Sequence, residues 1–306
     1  MSQTKIEWAD KVWNPITGCS PVSKGCQNCY ARRFAYRLKG RYGYPKNDPF
    51  KVTFHPDRLD EPLHWKKPSR IFVCSMGDLF HEDVKYTWIE SIMETVIVET
   101  QHLFLFLTKR PQRMKDILET WKLWAKENLW LGVSVEDQPT ADERIPILLQ
   151  IPVAHRFVSV EPMLGSVDLH YWLPDLTARA MGAAINVDVR SSMIDWVIVG
   201  SETGPHARPL HPDWVRSLRD QCQAAGVPFF FKGWGEWQHD TQLEIKIIRD
   251  PNEPFRLIQF GIKNISHTVN LHTEGHEWPN GSWSLRVGKK KSGRLLDGQE
   301  WNEMPK

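Results

Sequence analysis

The chain has 306 residues, 41% of them hydrophobic, and a formal net charge of +2, which suits one large α/β domain with a small appendage. No stretch approaches the roughly 18 uninterrupted apolar residues of a transmembrane helix, and the amino terminus lacks the apolar segment of a secretory signal. Five cysteines, three of them within eleven residues, argue against a disulfide framework and predict a reducing, cytoplasmic location.

Taken in chain order, the predicted elements alternate between strands and helices. A first strand is expected around residues 12–17, and later apolar runs cover 71–74, 103–107, 129–133, 156–160, 196–199 and 227–231. These runs are apolar at successive positions, as in parallel strands that are covered by helices on both faces. Residues 111–126 and 213–225 show helical spacing, and Gly226 suits the C-cap of the second helix.

This alternation predicts βαβ units and one parallel sheet. Six or seven strands favour an α/β fold with a parallel (β/α) barrel, partial or closed, and an open doubly wound sheet is the alternative. We assign residues 1–240 to the barrel, with an insertion near 165–193, and residues 241–306 to a small β-containing appendage. The lysines at 289–291 in the appendage could contact phosphates, although such runs more often form solvated turns.

Polar residues follow almost every apolar run. In parallel α/β folds the functional residues lie at the carboxyl ends of the strands, so the sequence predicts that these residues share one rim. Polar loops, and carboxylates that cap the following helix, are the alternative explanation. The candidates are Cys19, Ser75, Met76, Gly77, Asp78, Lys109, Arg110, Ser134, Glu136, Glu161, Glu202 and Lys232.

The cysteines Cys19, Cys26 and Cys29 have the spacing C-x6-C-x2-C. Thiolates suit zinc or an iron–sulfur cluster. A structural zinc site needs four ligands, so Cys74 or His81 would have to complete it from a distant strand. Three ligands instead suit a [4Fe–4S] cluster in which the fourth iron stays open to a chelating molecule. Three packed, chemically inert cysteines are the third possibility.

A three-cysteine loop after the first strand of a (β/α) barrel resembles the radical S-adenosylmethionine (SAM) superfamily. The chain is more closely similar to a phage- and bacteria-encoded three-Cys-motif family with no assigned reaction. The spacing differs from the C-x3-C-x2-C usual in the superfamily, and Asn28 stands before the third cysteine where an aromatic residue is usual. The matching segments are residues 6–8, 13–19, 25–31, 204–209, 214–222, 232–235, 287–290 and 293–298.

The resemblance implies an enzyme that holds a [4Fe–4S] cluster on Cys19, Cys26 and Cys29 and generates a 5′-deoxyadenosyl radical from SAM. It implies that the turn Ser75, Met76, Gly77 and Asp78 meets the amino group of SAM. Further candidates for the SAM ribose or ammonium are the rim residues Ser134, Glu136, Glu161 and Glu202.

Four cations, Lys109, Arg110, Arg208 and Lys232, are the candidate substrate-binding residues. With Trp234 and Trp237 nearby they suit a nucleotide or nucleic acid, although the near-neutral net charge argues against long, unassisted DNA binding. Pairing of these cations with the rim carboxylates is the alternative. The enzyme interpretation also needs an external electron donor, and it allows a protein partner encoded nearby. A non-catalytic zinc or iron–sulfur protein of a phage or defence module is the alternative function.

Overall fold

The computed structural model describes residues 4, 6–121, 127–174, 193–239, 248–250, 253–258 and 274–305. Seven strands form one parallel sheet in the order β1-β4-β5-β6-β7-β8-β9. The strands and α-helices are β1 (Lys11–Trp13), β2 (Ile16–Thr17), α1 (Tyr30–Arg37), β3 (Thr53–Phe54), β4 (Arg70–Val73), α2 (Tyr86–Val98), β5 (Leu103–Thr108), α3 (Pro111–Trp121), β6 (Leu129–Val135), α4 (Gln138–Leu149), β7 (His155–Val160), β8 (Trp196–Val199), α5 (Pro212–Ala225), β9 (Phe229–Phe231), β10 (Trp237–His239), β11 (Ile248–Asp250), β12 (Glu253–Ile258), β13 (Gly275–Glu277), β14 (Trp283–Arg286) and α6 (Lys289–Ser292).

The sheet is strongly curved around Trp8. The Trp8 ring lies 4.6 Å from that of Phe72 on β4 and 6.1 Å from that of Trp196 on β8. In a flat sheet those two strands, four spacings apart, would be about 19 Å from each other. The first and last strands of the sheet, β1 and β9, do not pair with each other. The sheet is therefore the partial form of the parallel barrel that the radical SAM resemblance implies, and the predicted fold class is confirmed.

Alternation along each strand divides the core in two. The outward positions pack against the helices, for example Val158 on β7 with Ile145 and Leu148 on α4. The inward positions form a second apolar cluster with Trp8 at the centre. Six neighbouring strands contribute to it, with the large side chains of Phe72, Leu105, Trp130, Phe157, Trp196, Ile198 and Phe230. Gly132 makes room for this packing, because a Cβ there would lie 2.6 Å from the Phe157 ring.

The predicted elements agree with the structure except in the first strand. The segment 12–17 contains two short strands, because Pro15 has no N–H to donate and Asn14 uses its side chain to accept from Met76 N. The helix expected at 111–126 is described to Trp121, and residues 122–126 lie outside the described part. Gly226 has φ 65° and caps α5, as expected.

The carboxyl-terminal region packs onto the barrel at two places. A small antiparallel sheet, β10-β14-β13, confirms the predicted β-containing appendage and takes in a strand from before residue 240. Asn302 bridges Phe230, and Glu303 N donates to Phe229 O at 3.2 Å, so the end of the chain covers the edge strand β9. The predicted boundary near 240 stays a prediction. Within the described residues, no helix has the length and apolarity needed to cross a membrane.

Candidate functional site

The inward face of the barrel changes from apolar to polar toward the carboxyl ends of the strands. Counting by two from the inner cluster, β5 leads from Leu105 to Lys109 and β7 leads from Phe157 to Glu161. The same count on β6 ends at Glu136, and on β9 it leads to Lys232. The period of two in a strand therefore aims these charged side chains at one mouth of the barrel.

The cysteine loop begins with a backbone turn that only glycine tolerates. Gly18 has φ +89°, and a Cβ there would lie 2.2 Å from the carbonyl oxygen of Lys51. Its N–H donates to Met76 O at 2.9 Å, and Gly18 bridges Gly77 in parallel fashion. A Cβ on Gly77 would in turn lie 2.8 Å from the Gly18 carbonyl oxygen. The two glycines bring Cys19 against the turn that follows β4.

The three thiols have different surroundings. The Cys19 thiol lies 3.4 Å from Arg110 Nη1, yet burial, reinforced by Asp78, raises its pKa to about 12. Burial also opposes ionisation of Cys26, but the N–H of Val22, contacts with Ser23 and the charge of Lys109 hold its pKa below the ordinary value. Cys29 is the N-cap residue of α1. Both Cys19 and Cys29 pack with Met76 against the small cluster under α1.

Every predicted substrate cation is paired with a predicted carboxylate of the rim. Arg110 Nη1 donates to Asp78 at 3.1 Å, and Lys232 Nζ donates to Glu161 at 2.6 and 2.8 Å. Glu136, 1% exposed, accepts from Lys109 and from Arg144 Nη1, the latter at 3.1 Å. Glu202 is bound in bidentate fashion by Arg208. The structure thus shows the alternative arrangement, in which these cations pair with the rim carboxylates. A role of these residues in binding SAM or substrate stays a prediction.

These ion pairs also hold the cysteine loop over the barrel mouth. Arg110 donates to Ser20 Oγ at 3.0 Å, and Ser23 Oγ donates to Glu136 at 2.7 Å. Arg208 Nη2 donates to the carbonyl of Lys24 at 2.9 Å, and Asn28 donates to Glu202 at 2.9 Å. Between these contacts Gly25 lies so close that a Cβ would be 2.5 Å from the Glu136 side chain. The loop is therefore fixed to the ends of β5, β6 and β8.

Burial and hydrogen bonding leave Glu202 charged. Burial raises the pKa of its carboxyl group, but the donors of Arg208 and Asn28 outweigh that and hold the pKa below its ordinary range. A charged Glu202 keeps Arg208 in place above the loop. Separating a buried ion pair is costly, because it leaves an unpaired charge. Each such pair therefore opposes displacement of the loop, and we call these pairs the latches of the loop.

The turn Ser75, Met76, Gly77 and Asp78 lies directly beside Cys19. Its Ser75 carbonyl accepts from the hydroxyl of Tyr30 at 2.5 Å, so the residue after the third cysteine reaches across to this turn. Asp78 is 6% exposed, and Thr108 Oγ1 donates to its carboxylate at 2.8 Å. Ser134 Oγ donates to the Glu161 carbonyl at 2.9 Å. The predicted residues are thus brought together, with Asp78 committed to protein partners.

The donor set suits an iron–sulfur cluster. Three thiols lie in one loop, and a cation accompanies each of the first two, which compensates the negative charge of bound thiolates. The described residues contain no group of three or more His, Cys, Asp or Glu side chains placed to hold one metal ion. In a cluster each thiolate binds a different iron, so the thiols need not converge on one point.

The residues proposed to complete a zinc site are engaged elsewhere. Cys74 is buried, has φ 57°, and burial raises the pKa of its thiol to about 12. His81 Nε2 lies 2.7 Å from Ser20 Oγ, and its Nδ1 accepts from Asp83 N at 3.0 Å. His81 therefore supports the cysteine loop through Ser20.

Several contacts that hold the cysteine loop escaped prediction from the sequence. Ser20, Ser23 and Asn28 lie inside the cysteine motif, where polar residues are ordinary and give no signal. Arg144 is the exception, because it occupies the apolar stripe of α4 between Ala141 and Leu148 and is 2% exposed. A charged residue at a core position of a helix implies a buried partner, which here is Glu136.

Comparison with known proteins gives a family match and a weak structural likeness. A family model described as a protein of unknown function (DUF5131) matches residues 3–305. No curated protein shows significant sequence similarity to the chain. A variant of spore photoproduct lyase is 11% identical with a TM-score of 0.44, and its match covers 95% of this chain and 72% of that one. A second variant, with bound AdoMet and dinucleoside spore photoproduct, is 10% identical with a TM-score of 0.41 over the same shares. Similarity at this level does not bear on the reaction or the ligands of this chain.

Proposed function

This chain belongs to the DUF5131 family, and we propose that it is a radical SAM-type enzyme that binds a [4Fe–4S] cluster through Cys19, Cys26 and Cys29. The substrate that we propose is a nucleotide or a nucleic acid. The observation that carries the proposal is the position of three thiols in one loop, latched by ion pairs over the mouth of a parallel partial barrel. A cluster held by Cys19, Cys26 and Cys29 would supply the one-electron reduction of SAM by an external donor, which would cleave its carbon–sulfur bond to methionine and a 5′-deoxyadenosyl radical able to take hydrogen from the substrate.

The chain itself holds the thiols and sets their charge. Arg110 lies 3.4 Å from the Cys19 sulfur, and it keeps that contact while it also binds Asp78 and Ser20. Lys109 lowers the pKa of Cys26. Both cations therefore favour thiolates, which are the form that binds iron. In this proposal Asp78 and Glu136 are positioning residues that orient the two cations.

The turn after β4 is the proposed site for the methionine end of SAM. It lies beside Cys19 through the Gly18 and Gly77 bridge, and neither glycine has a side chain to block the approach of a ligand. Met76 packs against the same small cluster under α1 as Cys19 and Cys29. A molecule bound to an iron left without a protein ligand would therefore meet the backbone of this turn.

The inner mouth of the barrel is the proposed place for the adenosine and the substrate. Glu161 and Lys232 are each 27% exposed there, and Lys232 Nζ lies 5.9 Å from the Trp8 ring. Below this pair the inner aromatic cluster fills the barrel, which keeps water from entering from the opposite end. Because both side chains are partly exposed, Lys232 can bind a phosphate of a ligand and Glu161 can accept a hydrogen bond from a hydroxyl or amide group.

The test is metal content followed by SAM cleavage, both without oxygen. We expect the reconstituted chain to hold about four irons and four sulfides and to release 5′-deoxyadenosine from SAM with dithionite. Cys26→Ala should lose both the cluster and the cleavage. Cys222→Ala, at a cysteine that is fully buried on α5, is the matched control and should keep both. One tightly bound zinc per chain with no iron and no cleavage would contradict the proposal.

A further inference from the structure

Helix α1 and the loop after it concentrate positive charge. Residues 30–47 contain six cations and no Asp or Glu, in a chain whose net charge is only +2. Except for Arg33, which is half-buried, all of these cations are exposed. None of the six forms an ion pair within the part of the chain that the structure describes. They are Arg32, Arg33, Arg37, Lys39, Arg41 and Lys46.

The same segment exposes aromatic rings that a soluble protein ordinarily buries. Phe34 is 49% exposed and Tyr42 is 73% exposed, and Tyr36 is also open to solvent. The helix turns Phe34 and Tyr36 outward because its core side is occupied by Ala31 and Ala35, which are buried, and Tyr42 lies in the loop that follows the helix. The rings stand among the cations, so the surface is neither an apolar patch nor a simple basic one.

We propose that this basic–aromatic surface, formed by Arg32, Phe34, Tyr36, Arg37, Lys39, Arg41 and Tyr42, binds single-stranded nucleic acid. The cations complement the phosphates, and the exposed rings stack on bases. A single strand suits the surface better than a duplex, since the faces of paired bases are already covered by their neighbours. The role of the bound strand as the substrate rests on the proposed function. The binding itself does not require the cluster.

The surface continues directly from the cysteine loop. Cys29 is the N-cap residue of α1, so the third thiol lies at the start of the helix that carries Phe34 and Tyr36. Two contacts fix the helix: Tyr30 donates to the Ser75 carbonyl at 2.5 Å, and Arg33 Nη2 approaches Thr203 Oγ1 at 3.5 Å. A strand that lies along α1 would therefore pass between the ends of β4 and β8, next to the barrel mouth.

The experiment measures the dissociation constant of a fluorescein-labelled oligothymidylate by anisotropy over a range of salt concentrations. Phe34→Ala and Tyr42→Ala should each weaken binding about tenfold, with little change in salt dependence. Arg32→Gln with Arg37→Gln should weaken binding and lower the slope of log K against log salt by about 1.4, which is two phosphate contacts at about 0.7 each. All four side chains are exposed, so circular dichroism should show unchanged folding.

Control variants distinguish binding at this surface from a general effect of positive charge. Lys289→Gln with Lys290→Gln removes two exposed lysines from α6, where no exposed ring accompanies them, and should leave the affinity unchanged. Cys26→Ala should also retain binding, so loss of SAM cleavage and loss of nucleic acid binding can be told apart. The inference is overturned if the wild-type chain does not bind the oligonucleotide, if the lysine control weakens binding as much as the α1 variants, or if the annealed duplex binds as tightly as the single strand.

Discussion

Glu136 is the most deeply buried anion of the rim, and its replacement by alanine leaves two cations without their partner. The carboxylate is 1% exposed and faces Lys109 and Arg144, which are 18% and 3% exposed. Removing one member of a buried ion pair costs about 3–5 kcal/mol, because the remaining charge stays desolvated. At about 2 °C per kcal/mol for a chain of this size, Glu136→Ala should lower the melting temperature by roughly 6–10 °C.

The matched control is Glu82→Ala. Glu82 also pairs with a cation beside the cysteine loop, Arg110 at 2.9 Å, but it is 62% exposed, and an exposed pair contributes about 0–1 kcal/mol. Its removal should shift the melting temperature by no more than about 2 °C, since Arg110 keeps Asp78. The melting temperatures are measured by circular dichroism on heating. Equal shifts of the melting temperature in the two variants would refute the assignment of Glu136 as a buried latch. Glu136→Ala should in addition lower the iron content after reconstitution, because Ser23 loses its acceptor.

Three further outcomes are expected. Gly18→Ala should prevent cluster loading and destabilise the fold, because its Cβ would collide with the Lys51 carbonyl oxygen. The control Gly281→Ala, at φ +80° with nothing within 4 Å of the added Cβ, should cost only the conformational penalty of about 1–2 kcal/mol. Similar melting temperatures of the two variants would show that the Lys51 contact is unimportant. In the cluster-free, reduced chain, iodoacetamide at about pH 8 should modify Cys26 before Cys19, because the pKa of Cys26 is lowered and that of Cys19 is raised to about 12; mass spectrometry of the peptides would reveal the opposite order. Two arginines of α5 hold the pKa of Asp297 below its ordinary value. The contribution of Asp297 to folding stability is therefore fully present above the ordinary pKa and is lost as the pH falls through the lowered pKa. Asp297→Asn should therefore lower the melting temperature at neutral pH, by at most about 2 °C for an exposed pair, and this effect should diminish as the pH falls through the lowered pKa; an effect that does not diminish in acid would contradict this.

The parallel strands were predictable because they are apolar on both faces. Runs such as Leu103–Thr108 and Leu129–Val135 contribute to both the inner and the outer core, and a buried strand of that kind is written plainly in the sequence. The interruption of the first strand was less visible. It depends on Asn14, whose side chain accepts from Met76, a residue 62 positions away.

The rim residues were predictable as a set but not as pairs. Each follows an apolar run, so the fold alone brings them to one end of the sheet. Their partners come from other strands, as with Lys232 and Glu161, which are separated by 71 positions. Which cation meets which carboxylate depends on the curvature of the sheet and the register of its strands, and neither is encoded in local spacing. Arg144 was overlooked because no motif marks it. Its only signal in the sequence is that it places a charge in the apolar stripe of α4.

Ion pairs are a suitable way to hold a loop that carries thiolates. Burial alone raises the pKa of a thiol, as it does for Cys74 and Cys222 and also for Cys19, and an anchor made only of apolar contacts would add to this effect and oppose the binding of iron. The rim pairs instead leave donors such as Arg110 and Lys109 facing the loop, while Asp78 and Glu136 hold those donors in place. Lys109 helps to keep the pKa of Cys26 below its ordinary value, whereas at Cys19 burial and the charge of Asp78 outweigh the contribution of Arg110. It follows that exchanging a latch carboxylate for its amide should disturb cluster loading more than exchanging an equally buried apolar residue, even where the two changes cost the fold the same free energy.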